Sequence, residues 1–325
     1  MSLARLIARR IALGVVAAWA VLSGVFLLFT ATNNWHLGAI LGGAARGGAD
    51  ANDVREIREE YLSERGLDRP LHEQYVDWMG NMFTLQWDES FETGEAVRPM
   101  IADAALRTAT YVVPALALAM AVGLAVGLFV AMTDSSAGDG SVRGIVYLVF
   151  GTPNFWLAAM ALSFAAGTGL RFYWRSTAIR PVKYPFVFEH VLPVLLVATT
   201  LVAAIASYAR SYSMQYVSAD LTKLVRAKGG SRWTVARHVL RNAAIPLVSL
   251  LFVETLALVA LSVFVVEALF AIEGLGLIFY NAVWTKNLPV LMGVTMVIAA
   301  VGVASNVIQD VAYSTLDPRV DTGTR

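Results

Sequence analysis
Cysteine is absent from the 325 residues. That excludes disulfides, thiolate metal sites and a cysteine nucleophile, and by itself names no compartment. Charge is scarce. Only 15% of residues are charged, where a soluble domain carries roughly 25%. An excess of one sign is missing too: the net charge is +1, so bulk attraction to nucleic acid is not indicated. The four histidines, His36, His72, His190 and His238, are scattered and form no H-E-x-x-H pattern. No Gly-Lys dipeptide occurs, which excludes a phosphate-binding G-x-x-x-x-G-K-[ST] loop. A G-x-S-x-G elbow is also lacking. These absences argue against an ATPase, a zinc hydrolase or a serine hydrolase acting through this chain alone.

Apolar residues fill the space instead. They make up 57% of the chain, with a mean hydropathy of +0.61, and they gather in uncharged runs long enough to cross a bilayer, which takes about 20 helical residues. Six spans are predicted: Ile11–Ala31, Thr108–Thr133, Gly144–Leu170, Val191–Ala209, about Ala243–Ala271, and Leu288–Gln309. The first follows Arg5, Arg9 and Arg10, and its length favours an uncleaved anchor over a signal peptide. Orientation follows from Lys/Arg bias in short loops. Segments 1–10, 134–143, 210–242 and 310–325 hold 13 Lys/Arg, against five in 171–190 and 272–287. The N- and C-termini are therefore both expected in the cytoplasm.

The one sizeable polar segment, 32–107, is then extracytoplasmic. It is expected to begin flexibly through "LGGAARGGADAND". A short charged helix, "DVREIREEYLSERG", follows with Asp53 as its cap, and then a second helix in "LDRPLHEQYVDWMGNMF", with Leu71, Tyr75, Trp78, Met79 and Met82 at helical spacing.

Two features call for a function. Glu254 and Glu267 lie on the fifth span. A carboxylate in hydrocarbon costs at least ~2.5 kcal/mol and turns to a bundle interior or an aqueous path. Each is expected either to make a polar helix contact or to line a pathway. The second feature is "LTKLVRAKGGSRWTVARHVLRNAAIP" (221–246), with six Lys/Arg and no carboxylate. Positive-inside anchoring, anionic-lipid binding and docking of a cytoplasmic protein compete here. The Gly229-Gly230 break favours docking. It is expected to end a helix running from Gln215 to Lys228, with Ser231 capping a second from Arg232 to Ala244. Lipid binding needs no such elbow.

This stretch resembles the cytoplasmic coupling loop of ABC-transporter permeases of the dipeptide/oligopeptide branch, which reads R-A-K-G and then R-H-x-L-R-N-A-x-x-P. "ERGLDRPLHEQYVDWMGNMF" (64–83), "GTPNFWLA" (151–158), "HVLPVL" (190–195), "VFVVEALFAIEGLG" (263–276) and "STLDPRV" (314–320) resemble further segments of that branch. Three outer segments depart from it. "TNNWHLGAILGG" replaces P-G-D-P, "TLQWDES" replaces G-D-L-G-x-S, and Glu273 replaces the proline before Gly274.

The resemblance implies an all-α integral membrane protein with the six-helix type I importer permease fold. Residues 1–31 would form the cytoplasmic N-terminus and first span, 32–107 the outer helical subdomain, 108–312 the five-helix core with its coupling loop at 213–245, and 313–325 the cytoplasmic tail. ATPase coupling would fall to Leu224, Val225, Arg226, Ala227, Lys228, Gly229, Gly230, Arg232 and Arg237. The pathway or gate would fall to Glu267, Glu254, Asn154, Gly274 and Gly276. The implied partners are a paralogous permease, two cytoplasmic ATPase subunits, an outer substrate-binding protein and the lipid bilayer of a prokaryotic cell membrane. ATP and Mg would sit on the ATPases, with no cofactor on this chain and no nucleic acid. Peptides are the implied solute, with nickel or oligosaccharides as alternatives within the branch. The alternative of another class is a self-contained secondary transporter or channel, which would show inverted repeats, broken helices and midplane ionisable groups.

Overall fold
A computed structural model describes residues 3–132, 152–168, 172–175, 178–181, 186–217, 219–241 and 263–316, with single positions at 140, 144 and 148. Glu254 with residues 243–262 of the fifth span, the tail beyond 316 and most of the start of the third span lie outside the described residues. The helices are α1 (Leu3–Ala31), α2 (Trp35–Arg46), α3 (Ala51–Glu64), α4 (Leu71–Thr84), α5 (Val97–Met132) and α6 (Asn154–Gly167). They continue with α7 (Leu192–Val217), α8 (Asp220–Ala227), α9 (232–241), α10 (Val263–Phe270), α11 (Leu275–Trp284) and α12 (Leu288–Leu316). Among the described residues, four helical stretches are long and apolar enough to cross a membrane, and five if the broken pair α10–α11 is one span.

The expected all-α architecture has one exception. Phe172–Arg175 and Ala178–Pro181 pair as a short antiparallel ladder, Phe172 opposite Pro181, inside the segment expected as a plain outer loop. Other boundaries also move. The second span's helix begins at Val97, because Pro99 falls in its first turn, where a missing N–H costs nothing. The glycine-rich stretch after the first span is not flexible coil. It forms α2, started by Asn34, whose side chain accepts from the Leu37 N–H. The cap of α3 is Asp50 rather than Asp53. Asp50 Oδ1 accepts from the Asn52 and Asp53 N–H groups, and Asp53 reaches back to the Asp50 N–H, closing a capping box. Part of the expected outer loop 272–287 is α11.

The chain divides into two compact units. One comprises Arg9–Ala105 and Leu277–Val303. Its buried side chains include Leu22, Phe26, Met82, Trp87, Val97, Ile101 and Met292. Tyr75 joins α4 to α1 by a hydrogen bond to Ser23 (2.7 Å) and an edge-on contact with Phe26. Leu71, expected on this apolar face, is half exposed. Lys286 closes the end of α1: its Nζ donates to Phe29 O (2.8 Å) and Thr32 Oγ1 (2.6 Å) and lies over the Phe29 and Trp35 rings. A cation at a helix C-terminus is electrostatically favoured. Burial nevertheless pushes its ammonium below the usual lysine pKa.

The other unit comprises Met1–Ala8, Leu106–Gly276 and Ala304–Arg325. Its core joins Tyr111, Ala115 and Ala119 of α5, Ala158 and Leu162 of α6, Val197, Leu201 and Ile205 of α7, and Val266 and Phe270 of α10. Small residues recur every fourth position on α5, at Ala115, Ala119, Gly123 and Gly127. In lipid, where burying apolar surface drives little, such a row lets helix backbones approach and gain packing contacts. A Cβ on Gly127 would lie 2.5 Å from Ala206 O, and one on Gly123 2.7 Å from the Ile205 side chain.

Candidate functional site: a clamped corner and a basic elbow
The corner is built from "VFVVEALFAIEGLG". Helix α10 stops where Ala271 turns to φ +53°, and the Ile272 N–H returns to Glu267 O (3.1 Å), the longer bond of a Schellman stop. The Glu267 side chain is fully buried. Its Oε1 accepts from Thr108 Oγ1 (2.6 Å) and Tyr111 OH (2.7 Å), both on α5, and its Oε2 accepts from the Gly276 N–H (2.6 Å). Thr108 Oγ1 in turn accepts from the Leu275 N–H (2.9 Å). Three donors around one carboxylate offset its burial, since each hydrogen bond to a charged group contributes about 1.5–3 kcal/mol.

Gly274 and Gly276 make the approach possible. A side chain at 274 would collide with the Glu267 carboxylate and Thr108 Oγ1, and a Cβ at 276 would lie 2.9 Å from Phe264 Cα. Outside this cluster, Arg107 Nη1 pairs with Glu273 Oε2 at 2.7 Å, both partly exposed. The structure thus brings together three of the residues singled out in the sequence, Glu267, Gly274 and Gly276, and adds Thr108 and Tyr111, which sequence reasoning missed. Asn154 is elsewhere in the same unit, at the start of α6, where its Oδ1 accepts from Thr200 Oγ1 of α7.

The elbow differs from the expected single helix over 215–228. Helix α7 ends at Val217 and α8 starts at Asp220. The corner between them is fixed by Thr222, fully buried, whose hydroxyl donates to Tyr216 O at 2.7 Å. Asp220 opens α8 and accepts from Lys223 Nζ (2.9 Å), a hydrogen bond and charge that hold its carboxyl below the usual pKa; the pair is exposed and adds little stability.

Helix α8 ends in a full Schellman motif. The Gly229 N–H donates to Arg226 O (3.0 Å) and the Gly230 N–H to Val225 O (3.0 Å), with Gly229 at φ +77°. A Cβ on Gly230 would lie 2.8 Å from Val225 O. Ser231 caps α9 through the Thr234 N–H (3.2 Å). Val235, Ala236 and Val239 are buried, while Leu221, Leu224, Arg226, Ala227, Lys228, Arg232, Trp233 and Arg237 are exposed. Two short helices thus present an apolar and basic face on a stiff glycine turn.

Residues 123–322 match the family described as the binding-protein-dependent transport system inner membrane component. The chain belongs to this family. Its members work with ATPase and substrate-binding partners in ABC importers, and membership sets aside the self-contained secondary transporter. The chain is a multi-pass membrane protein, and both the elbow and the corner fall inside the matched segment. A protein of Brucella ovis described as a peptide permease is 31% identical over 79% of this chain and 82% of its own length. The oligopeptide transport system permease protein AppB of Bacillus subtilis is 27% identical over 81% and 85%. The metal-staphylopine import system permease protein CntB of Staphylococcus aureus is 24% identical over 99% of both chains.

Proposed function
We propose that this chain forms half of the translocation pathway of a binding-protein-dependent ABC importer of peptides. One observation carries the coupling role: the glycine-stopped elbow of α8 and α9, with Leu221, Leu224 and Trp233 exposed beside Arg226, Lys228 and Arg232. Apolar side chains held out on a rigid turn fit a groove on a cytoplasmic ATPase, and the flanking cations pair with acidic groups at its rim. The peptide assignment is supported by the Brucella and Bacillus relatives. In this reading the chain spans a prokaryotic cell membrane six times with both termini inside. It pairs with a paralogous permease, two ATPases that hold ATP and Mg, and an outer binding protein. A metal-staphylopine type of cargo is the second reading, because that relative matches the chain nearly end to end.

Purification of the tagged chain from native membranes should bring down an ABC ATPase and a second permease. Vesicles holding the complex and its binding protein should take up labelled dipeptides only with ATP. Uptake without ATP, or a chain that transports alone, would refute the importer reading; uptake of metal-staphylopine but not peptide would select the second cargo.

The topology has its own test. The cysteine-free sequence allows single cysteines at exposed Ser63 and Ser231. In intact cells an impermeant thiol reagent should label Ser63→Cys and leave Ser231→Cys untouched, because the Lys/Arg bias places 210–242 inside. The opposite pattern would invert the orientation.

A further inference from the structure
We propose that α4 is an interfacial helix: it lies in the outer leaflet of the bilayer beside α1, and the flank that carries Val76 and Phe83 contacts lipid acyl chains. The proposal rests on the topology reading only for which leaflet this is.

Depth carries the argument. The Tyr75 hydroxyl meets Ser23 Oγ at 2.7 Å, and the Ser23 proton is already given to Trp19 O (2.7 Å), so the tyrosine is the donor. Ser23 stands eight positions before Ala31, the last residue of α1, which at about 1.5 Å per residue is about 12 Å along the axis. A hydrocarbon core that starts after Arg10, the last charge before the span, takes about 20 residues and closes near Thr30. Ser23 is therefore inside the core, by more than the length of a tyrosine side chain. Phe26, buried on α1, packs edge-on against the Tyr75 ring. Helix α4 is thus held below the end of α1 and not in the water above it. A tyrosine hydroxyl at that depth needs a protein partner, because no water is there to supply one.

The side chains of α4 sort accordingly. Gln74, Trp78, Met79 and Met82 are buried. Glu73, Asp77 and Thr84 form an exposed polar stripe on the side away from Tyr75, with Asp77 paired to Arg69 at 2.6 Å. Between that stripe and α1 lies the apolar flank. Val76 and Phe83, seven positions apart and so on one side of the helix, are 65% and 38% exposed, with Gly80 between them. Leu85, at the left-handed residue that ends the helix, is half exposed. Leu27 of α1, one turn after Ser23, is half exposed as well, so the flank continues the lipid-facing surface of the first span. Charge on one side and apolar side chains on another, sunk about 5–10 Å into the boundary of headgroups and acyl chains, are the marks of a helix lying in the interface.

The cysteine-free sequence permits single bimane labels at Val76→Cys, Phe83→Cys and Glu73→Cys, all exposed positions. The full chain, with the partners it retains from native membranes, is reconstituted in vesicles. Lipids carrying a nitroxide at shallow or deep acyl carbons should quench the labels at 76 and 83 and place them about 5–10 Å below the headgroups. Iodide in the water should quench the label at 73 and spare the other two. Iodide quenching at 76 and 83 equal to that at 73 would overturn the proposal, because the flank would then face water. Protection of 76 and 83 from both quenchers would overturn it too, because the flank would then be covered by protein such as the paralogous permease. Labelling of Ser63→Cys from the cytoplasmic side alone would overturn the outer assignment and move the helix to the inner leaflet at the same depth. A complex that fails to take up dipeptides would strike the importer reading and leave the quenching result standing.

Discussion

Gly229→Val should weaken coupling about tenfold or more in a chain that still inserts. Gly229 sits at φ +77°, where an L-residue pays roughly 1–2 kcal/mol and a β-branched one meets the steepest steric barrier. Valine escapes by returning to negative φ. That breaks the Gly229–Arg226 and Gly230–Val225 hydrogen bonds, lets the last turn of α8 unwind, and swings Leu224 and Arg226 away from α9. Gly229→Asn is the matched control, since asparagine tolerates the left-handed region. ATPase pull-down and vesicle uptake, measured together, should fall by at least about tenfold in the valine variant, the equivalent of the roughly 1.4 kcal/mol that separates the two conformations, and stay near wild type in the asparagine variant. If valine leaves both unchanged, the elbow is not the docking point, and lipid anchoring becomes the better account of its charge.

The elbow was legible in the sequence because its determinants are local. Gly229, Gly230 and Ser231 are consecutive, and each acts within five residues of itself. The end of α7 at Val217, with α8 starting anew at Asp220, was not legible. What stabilises it is Thr222 reaching Tyr216 O, a bond that any threonine in a helix could replace with a solvent contact. The corner was half legible. Glu267 stood out as a carboxylate in an apolar run, but its partners Thr108 and Tyr111 lie 159 and 156 residues away, and no spacing rule connects them. Helix α2 was hidden by composition. Gly38, Gly42 and Gly43 disfavour a helix by up to about 1 kcal/mol each, yet the Asn34 cap and the bond from Trp35 Nε1 to Trp284 O hold it. The start of α5 was hidden by Arg98, Asp103 and Arg107, which reads as the end of a loop until Arg107 is seen to pair with Glu273.

That pair also explains a departure from the dipeptide/oligopeptide branch. Where the branch places proline before Gly274, the proline ring would fix φ and stiffen the corner. Here Glu273 fastens the same corner to α5 from outside by an ion pair, while Thr108, Tyr111 and Glu267 fasten it from within. An exposed pair contributes about 0–1 kcal/mol and is screened by salt, so the inner clamp sets the geometry and the outer one adjusts it.

The largest effect on the fold is expected at Gly127. The row Ala115, Ala119, Gly123, Gly127 runs along α5, and its two glycines lie close against α7. They differ in what they meet. A methyl on Gly123 meets Ile205 Cβ and Cγ2 at 2.7 Å, while the nearest backbone atom, Val202 O, stands off at 3.2 Å. A methyl on Gly127 meets Ala206 O at 2.5 Å, Ala209 Cβ at 2.6 Å and Arg210 N at 2.9 Å. Backbone does not move aside, so α7 itself must shift. Overpacking of this kind costs about 1–3 kcal/mol, occasionally more. Thermal unfolding of the detergent-solubilised chain, followed by the fluorescence of its eight tryptophans, should therefore rank wild type above Gly123→Ala, Gly123→Ala above Gly127→Ala, and Gly127→Leu last or absent from the membrane. The consequence reaches function, because α7 runs on to Val217 and carries the elbow through the Thr222–Tyr216 bond. Gly127→Ala should thus weaken ATPase pull-down in the fraction that remains folded, although position 127 is not in the elbow. A Gly127→Ala chain as stable as wild type, or less damaged than Gly123→Ala, would show that the α5–α7 contact is not the tight backbone approach that the geometry requires.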